Sequence, residues 1–331
     1  MILARHAESM LWVGRYLEKV ETTARCLECE SMSIVHLETS EAMTELEKIV
    51  LVLGLEEKLP EIRAMTNSHQ VATFLLSDPT NAGSVVSMAE FVRENLRTVR
   101  ERIPIELWEE SNALHLQLMS VRCGSPMTFQ DFHDVFLLVR RFCFSLNGVL
   151  SEAMGRDEGH SFIVIGRMLM RSIFIVSLLQ TSLSDARGKP DLTRLLRLAC
   201  SLQVYRRRHG HNPDPEIAVK FLLTAPEYPG SVLSSLLKAE RCLNNLRVAA
   251  SAFRQSCRHI GFVRARLEFG AIVSELELEG TVAVLQNLKA ELVGLSEDVL
   301  RAVQPSASIP AVRSLYFRPG QQIHDDETTG K

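Results

Sequence analysis

Strong charge of one sign, a disulfide pattern and a leading apolar segment are all missing from this sequence. The formal net charge of the 331 residues is only −3, so no overall field draws the chain to nucleic acid or to anionic lipid. Seven cysteines, an odd number scattered along the chain, do not resemble the framework of a disulfide-bonded secreted protein. The N-terminal segment MILARHAES lacks the apolar run of a signal peptide. We therefore expect a cytoplasmic protein in a reducing environment.

Motifs that would name a reaction are missing as well. The sequence has no Gly-x-Ser-x-Gly turn, no glycine-rich phosphate loop and no Glu-x-x-His repeat of a di-iron bundle. Cys26 and Cys29 form a C-x-x-C pair, but the pair lies inside a predicted helix, without the two further ligands of a zinc site. We therefore predict no metal and no cofactor in this chain.

Apolar residues recur at helical spacing along most of the chain, and few windows alternate as strands do. This pattern predicts an all-α protein. The predicted helices cover about 4–35, 40–53, 68–77, 84–102, 106–121, 128–154, 158–183, 190–208, 214–223, 231–258, 262–278 and 281–303.

One predicted helix has the length and composition of a membrane span. The segment 161–180 is long enough to cross a bilayer. It contains Arg167 and Arg171, however, and each arginine costs roughly 2.5–3.5 kcal/mol at the bilayer centre. We interpret the segment as a core helix that is buried on most sides, and we predict no membrane span.

Two pairs of similar segments indicate an internal duplication. FLLSDPTNAGSV at 74–85 matches FLLTAPEYPGSV at 221–232, and WVGRYLEK at 12–19 matches VIGRMLMR at 164–171. The two offsets are nearly equal and the segments occur in the same order. The sequence therefore predicts a duplicated helical bundle with two pseudo-symmetric halves, 1–152 and 153–303. An irregular tail rich in proline, serine and glycine follows at 304–331.

The first helix carries a polar row opposite its apolar face. The row consists of Glu8, Arg15, Glu18, Thr22 and Arg25. A solvated surface is the ordinary interpretation of such a row. The corresponding row of the second half is mostly apolar, and it leaves Arg167 and Arg171 in need of carboxylate partners. If the first-helix glutamates, with Asp157 and Glu158, supply those partners, the row faces an interior cleft. Both interpretations stay open on the sequence alone.

Two further charged clusters admit a structural and a functional interpretation. RDEGH at 156–160 begins the second central helix, where acidic groups suit the helix dipole. Alternatively, Asp157 and Glu158 bind an amine or a metal, with His160 one turn inward. YRRRHGH at 205–211 is the only concentrated basic run, and it ends a predicted helix. Anion binding is its functional interpretation, but no aromatic platform accompanies it, so nucleic acid is not an expected partner.

Taken together, these landmarks resemble the bacterial alpha-E domain family. The similar segments are ARHAESMLWVGRYLEKVETTAR at 4–25, RENLRTVRERIPIELWE at 93–109, GRDEGHSFIVIGR at 155–167, LLRLACSLQVYRRR at 195–208 and FLLTAPEYPGSV. Proteins of this family look like duplicated helical proteins encoded beside, or fused to, a circularly permuted ATP-grasp ligase. Transglutaminase-like peptidases are frequent neighbours. The resemblance implies a part in ATP-dependent amide or peptide bond formation, with ATP bound only by the partner ligase.

The resemblance also implies site residues. Its motif positions are Glu8, Arg15, Glu18, Glu21 and Arg25 in the first half, and Arg156, Asp157, Glu158, Gly159 and Arg167 in the second. Glu8 or Glu18 would act as the catalytic base toward an amine, which requires a carboxylate pKa raised by burial. The other charged positions would bind the substrate. The second half departs from the family pattern, because GRMLMRSIFIV has Met170 in place of a carboxylate. Two symmetric sites are therefore not expected.

Two functions from different classes remain open. The first is an accessory or second catalytic component of an ATP-grasp-type amide ligase system, which binds a peptide or amino acid in the cleft between the halves. The alternative is a non-catalytic helical scaffold that docks and organises the ligase. An independent hydrolase has no supporting motif. The sequence decides neither whether the chain is itself an enzyme nor whether it forms a homo-oligomer.

Overall fold

A computed structural model describes residues 2–34, 39–122, 129–184, 190–246 and 252–304. Within these ranges the chain forms fifteen α-helices and no β-strand, which confirms the all-α prediction. The helices are α1 Ala4–Ile34, α2 Thr39–Val52, α3 Leu59–Arg63, α4 Ser68–Leu76, α5 Val85–Thr98, α6 Ile105–Arg122, α7 Phe129–Glu152, α8 Glu158–Leu183, α9 Leu192–Leu198, α10 Leu202–His209, α11 Pro215–Thr224, α12 Val232–Asn244, α13 Arg254–Glu268, α14 Ala271–Glu279 and α15 Thr281–Val303.

Helix α8 is the central element of the core. Asp157 caps its N-terminus, and nearly every side chain from Phe162 to Leu179 is buried. In the part of the chain that the structure describes, α8 is the one helix long and apolar enough to cross a membrane, yet 83% of its apolar window is buried inside the protein. Packing against α1, α12 and α15 accounts for that composition. The prediction of a buried core helix is confirmed.

Helices α1 and α8 run in the same direction and cross at two glycines. The Ile2 backbone N–H donates to Glu158 at one end, and the Arg25 guanidinium lies over the Phe174 ring toward the other. A β-carbon added to Gly14 would lie 2.0 Å from the carbonyl oxygen of Ile163, and one added to Gly166 would lie 2.2 Å from that of Leu11. Backbones approach this closely only where side chains are absent.

Further helices pack on each member of this pair. α5 and α7 pack on α1, while α12 and α15 pack on α8. α5 and α12 each begin after a buried serine, Ser84 or Ser231, whose hydroxyl accepts a backbone N–H of the first turn. The two serines belong to the matching segments found in the sequence. This correspondence favours the duplication, which stays a prediction, as do the boundaries 1–152 and 153–303.

Several predicted boundaries differ from those observed. The predicted helix 190–208 is interrupted at Cys200, where a φ of +54° separates α9 from α10. The predicted helix 231–258 ends at Asn244, and α13 then continues past 262 to Glu268. Gly270, with φ of +82°, separates α13 from α14. The irregular tail predicted at 304–331 lies outside the described residues, except for Gln304.

Candidate functional site

Glu18 lies at the centre of a buried ion-pair network between α1 and α8. The Nε and Nη2 groups of Arg171 donate to its two carboxylate oxygens, over 2.6 and 2.7 Å. Arg167 Nε donates to Glu18 over 2.9 Å, and its Nη2 donates to Glu21 over 2.6 Å. The Glu18 side chain is 2% exposed. The prediction that first-helix glutamates pair with both arginines is confirmed, and the polar row is sheltered at this point.

The charge state of Glu18 follows from this pairing. Burial alone would raise the pKa of its carboxyl group, but Arg171 and Arg167 outweigh burial and lower the pKa to about 2. A carboxylate held this firmly in its ionised form is a poor proton acceptor at neutral pH. The expected rise in pKa is therefore wrong for Glu18, and its position is that of a structural anion.

A cavity of about 540 Å³ opens beside this network. Its floor is formed by α1 and α8, one wall by α7, and the other wall by the end of α9 together with the loop at 228–230. Charged side chains from α1, α7, α8 and α9 reach it, including Glu21, Arg25, Arg140, Arg171 and Arg197. Three phenylalanines, Phe136, Phe144 and Phe174, belong to its apolar lining. The combination suits a ligand with a charged end and an apolar body.

Arg25 is the guanidinium of the predicted row that reaches this cavity. Its Nη1 donates to the Cys200 thiol over 3.1 Å, and the nearest carboxylate oxygen, on Glu21, is 3.9 Å away. Its Nε is buried and has no hydrogen-bond partner in the described part of the chain. A guanidinium with an unsatisfied buried N–H is costly unless an acceptor binds there. Arg25 is therefore the strongest candidate for contact with an anionic ligand.

The wall opposite α7 contains residues that the sequence did not single out. Cys200 is exposed on this wall, next to Ala199, whose carbonyl oxygen accepts a hydrogen bond from the Tyr228 hydroxyl over 2.9 Å. Burial and Cys200 raise the pKa of Tyr228 to about 12, so it stays protonated and acts as a donor. Arg197 lies on the same wall. The segments LLRLACSLQVYRRR and FLLTAPEYPGSV contain these residues, but nothing in either pattern places them at a site.

Arg15 and Glu8 lie outside the cavity lining. Arg15 is buried, with its guanidinium 4.4 Å from the centre of the Trp12 ring. Glu8 is half-buried near the start of α1, where it accepts a hydrogen bond from Gln304. The structure thus brings Glu18, Glu21, Arg25 and Arg167 together and leaves Glu8 at the opposite end of the helix.

The RDEGH cluster is also separate from the cavity, and its acidic groups do not supply the partners expected of them. Asp157 accepts the backbone N–H of His160, and Glu158 accepts that of Ile2. Arg156 donates to two carbonyl oxygens at the end of α7. Fourteen residues of helix, a rise of about 21 Å, separate Asp157 from Arg171. The expectation that Asp157 and Glu158 pair with the arginines of α8 is therefore wrong, and capping explains their position.

Metal ligands are not clustered anywhere in the described ranges: no group of three or more His, Cys, Asp or Glu side chains could hold an ion. Cys26 is buried and Cys29 is half-buried, and neither forms a disulfide.

Comparison with known proteins gives a family and distant relatives. The Alpha-E family model, described as a predicted alpha-helical domain with a conserved ER motif, matches residues 2–302. An uncharacterized protein of Mycobacterium bovis and one of Mycobacterium tuberculosis are each 23% identical over 340 residues. These alignments cover 96% of this chain but 38% of each relative, so the chain spans well under half of their length. No solved structure matches.

Proposed function

This chain belongs to the Alpha-E family, and on that premise we propose that it is an accessory or second catalytic component of an ATP-grasp-type amide ligase system. In this proposal the chain binds a peptide or amino-acid substrate in the cavity between α1, α7 and α8. ATP binds only to the partner, a circularly permuted ATP-grasp ligase. A transglutaminase-like peptidase would act on the same substrates, and the bacterial cytoplasm would be the compartment.

The observation that carries the proposal is the cavity of about 540 Å³, in which a poorly satisfied guanidinium lies beside aromatic faces. Amino acids and peptides carry carboxylates that pair with guanidinium groups, and apolar side chains that pack on such faces. The length of the mycobacterial relatives also supports a partner, because more than half of each lies beyond the matched region. A unit that occurs within a longer chain is suited to work beside another domain.

The structure changes which variants test this proposal. Substituting Glu18 would remove the shared counterion of Arg167 and Arg171, and a loss of activity would then report unfolding. Arg25→Gln and Arg197→Gln are better, because both residues line the cavity and neither has a hydrogen-bonded carboxylate among the described residues. Arg207→Gln, an exposed arginine outside the lining, is the matched control.

The assay measures ATP-dependent amide formation by the ligase purified with this protein. We expect Arg25→Gln and Arg197→Gln to lower product formation by about tenfold or more while both proteins still copurify, since one charge-assisted hydrogen-bonded contact is worth roughly 1.5–3 kcal/mol. Arg207→Gln should behave as the wild type. Full product formation with both cavity variants would refute the proposal.

A helical scaffold that docks the ligase is the second candidate. Large exposed apolar side chains favour it, among them Leu116 on α6, 63% exposed, and Phe144 on α7, 62% exposed. A scaffold would act through assembly alone. In the same assay, a ligase that is fully active without this protein, but whose complex is lost in Leu116→Ser, supports the scaffold.

A further inference from the structure

The lining of the cavity has more positive than negative charge. Four arginines line it, Arg25, Arg140, Arg171 and Arg197, against three glutamates, Glu18, Glu21 and Glu28. Each glutamate already contacts an arginine: Glu18 contacts Arg171, Glu21 contacts Arg167, and Glu28 lies 3.5 Å from Arg140. Among the described residues no carboxylate accepts a hydrogen bond from Arg25 or Arg197, and the Glu21 carboxylate that pairs with Arg167 lies 3.9 Å from Arg25.

Two of these arginines have donors left over. Arg25 donates from Nη1 to a thiol, a weak acceptor, and its buried Nε has no acceptor among the described residues. Arg197 has no ion pair with the described residues, and its side chain is exposed. Planar guanidinium donors match a carboxylate, which can accept two parallel hydrogen bonds.

The apolar part of the lining lies next to Arg25. The Arg25 guanidinium is 5.5 Å from the centre of the Phe174 ring, and Phe174 itself is buried. Phe136 lies on the α7 wall, and Phe144 on the same wall is 62% exposed. A small inorganic anion would leave the exposed Phe144 ring in contact with water. An anion attached to a large apolar group would cover it.

We propose that the cavity binds the free carboxylate end of an amino acid or peptide whose last side chain is large and apolar. Arg25 and Arg197 hold the carboxylate, and the phenylalanines pack on the side chain. The amine end of the ligand is then outside the cavity, because each glutamate of the described lining already contacts an arginine. This inference rests on the proposed function and adds which end of the substrate enters.

The first test measures binding to the full chain by calorimetry, without a ligase. The probes are N-acetyl-L-phenylalanine, its uncharged amide, N-acetyl-L-alanine and inorganic phosphate. We expect the phenylalanine acid to bind about tenfold or more tightly than each of the other three. Equal binding of acid and amide would refute the role of the carboxylate, and equal binding of phosphate would refute the role of the apolar group. An absence of any binding refutes the inference as a whole.

Variants then test the residues. Arg25→Gln and Arg197→Gln should each weaken binding of the acid by about tenfold and leave weak binding of the amide unchanged, whereas Arg207→Gln should change neither. Melting temperatures of all variants establish folding. If Arg25→Gln does not fold, the test is whether the acid protects Cys200 against alkylation in the wild-type protein. The acid should slow alkylation of Cys200, which accepts the Arg25 hydrogen bond, and should not slow alkylation of Cys257. Equal rates at Cys200 with and without the acid contradict the inference.

Failure of this inference can be told apart from failure of the proposed function. If the acid binds as expected while cavity variants leave amide formation unchanged, the cavity is a carboxylate site and the ligase role is wrong. If amide formation depends on Arg25 while the acid and the amide bind alike, the ligase role stands and the carboxylate orientation is wrong.

Discussion

Glu18 and Arg171, which are 153 residues apart in the sequence, are joined by two parallel hydrogen bonds of 2.6 and 2.7 Å inside the protein. This pair, with Arg167 beside it, links the first long helix to the central helix at the floor of the cavity. A buried charge pair of this kind contributes little net stability over an apolar pair, but removing one partner leaves the other uncompensated. The first two predictions follow from that asymmetry.

Glu18→Gln should lower the free energy of unfolding by about 3–5 kcal/mol, because two buried guanidinium groups lose their shared counterion. Urea unfolding followed by circular dichroism measures the change. Glu8→Gln is the control, since Glu8 is half-buried at the other end of α1, and its effect should be below about 1 kcal/mol. An equal decrease in the free energy of unfolding of the two variants would show that the network contributes less to stability than predicted.

Acid should destabilise the protein through Glu18. The pKa of its carboxyl group is about 2 in the folded state against an ordinary value of 4.5. Stability from this lowered pKa is fully present above about pH 4.5 and is lost as the pH falls toward 2. Unfolding free energies measured from pH 6 to 3 should fall more steeply in the wild type than in Glu18→Gln. Parallel curves for the two proteins would contradict the lowered pKa.

Gly14→Ala should lower the free energy of unfolding by at least about 2 kcal/mol, because the added methyl group would lie 2.0 Å from a backbone oxygen of α8. Gly166→Ala should behave alike, since its methyl group would meet the backbone of α1 at 2.2 Å. Gly148→Ala in α7 is the matched control. Apart from its chain neighbours and the backbone of its own helix, no described atom lies within 4 Å of its added methyl group, and the substitution should stabilise by about 0.5–1 kcal/mol. Melting temperatures should place Gly148→Ala above the wild type and both Gly14→Ala and Gly166→Ala below it.

Cys200 should react faster with iodoacetamide than the other five cysteines that the structure describes. It is exposed, whereas Cys26 and Cys143 are buried. Burial also raises the pKa of the Cys143, Cys242 and Cys257 thiols, which reduces their reactive thiolate at neutral pH. Mass spectrometry of peptides after brief labelling assigns the sites. Faster labelling of Cys242 or Cys257 than of Cys200 would show that Cys200 is covered in solution.

Asp157 offers a test of capping against ligand binding. Asp157→Ala should lower the free energy of unfolding by about 1 kcal/mol, because the N-terminus of α8 loses its acceptor, while Asp157→Asn should retain most of it. Neither should change binding of N-acetyl-L-phenylalanine, since the cavity is about 21 Å further along the helix. Weaker binding in Asp157→Asn would instead assign this residue to the site.

The pairing of Glu18 with the α8 arginines could be predicted because the second half lacks its own carboxylate at Met170. Arg167 and Arg171 lie on an apolar helix and require carboxylate partners, and α1 supplies them. The prediction that Asp157 and Glu158 also pair with these arginines was wrong. They lie on the same helix as the arginines, and its rise of 1.5 Å per residue keeps them apart.

The remaining parts of the site depend on information that helical spacing does not contain. The break at Cys200 is a single backbone torsion in a segment whose apolar pattern continues through it. Arg197 and Tyr228 reach the cavity because the end of α9 and the loop at 228–230 form one wall beside α1, and the sequence gives no indication of that approach. The all-α class, in contrast, follows from a periodicity that is repeated along the whole chain.

The crossing of α1 and α8 has a geometric consequence for the cavity. The lining residues of both helices, from Glu18 and Arg171 onward, all follow the glycine contact in the chain. The close approach at Gly14 and Gly166 therefore sets how far apart the two backbones lie at the floor of the cavity. A substitution at Gly14 or Gly166 would alter ligand affinity from outside the cavity, without changing any group that the ligand touches.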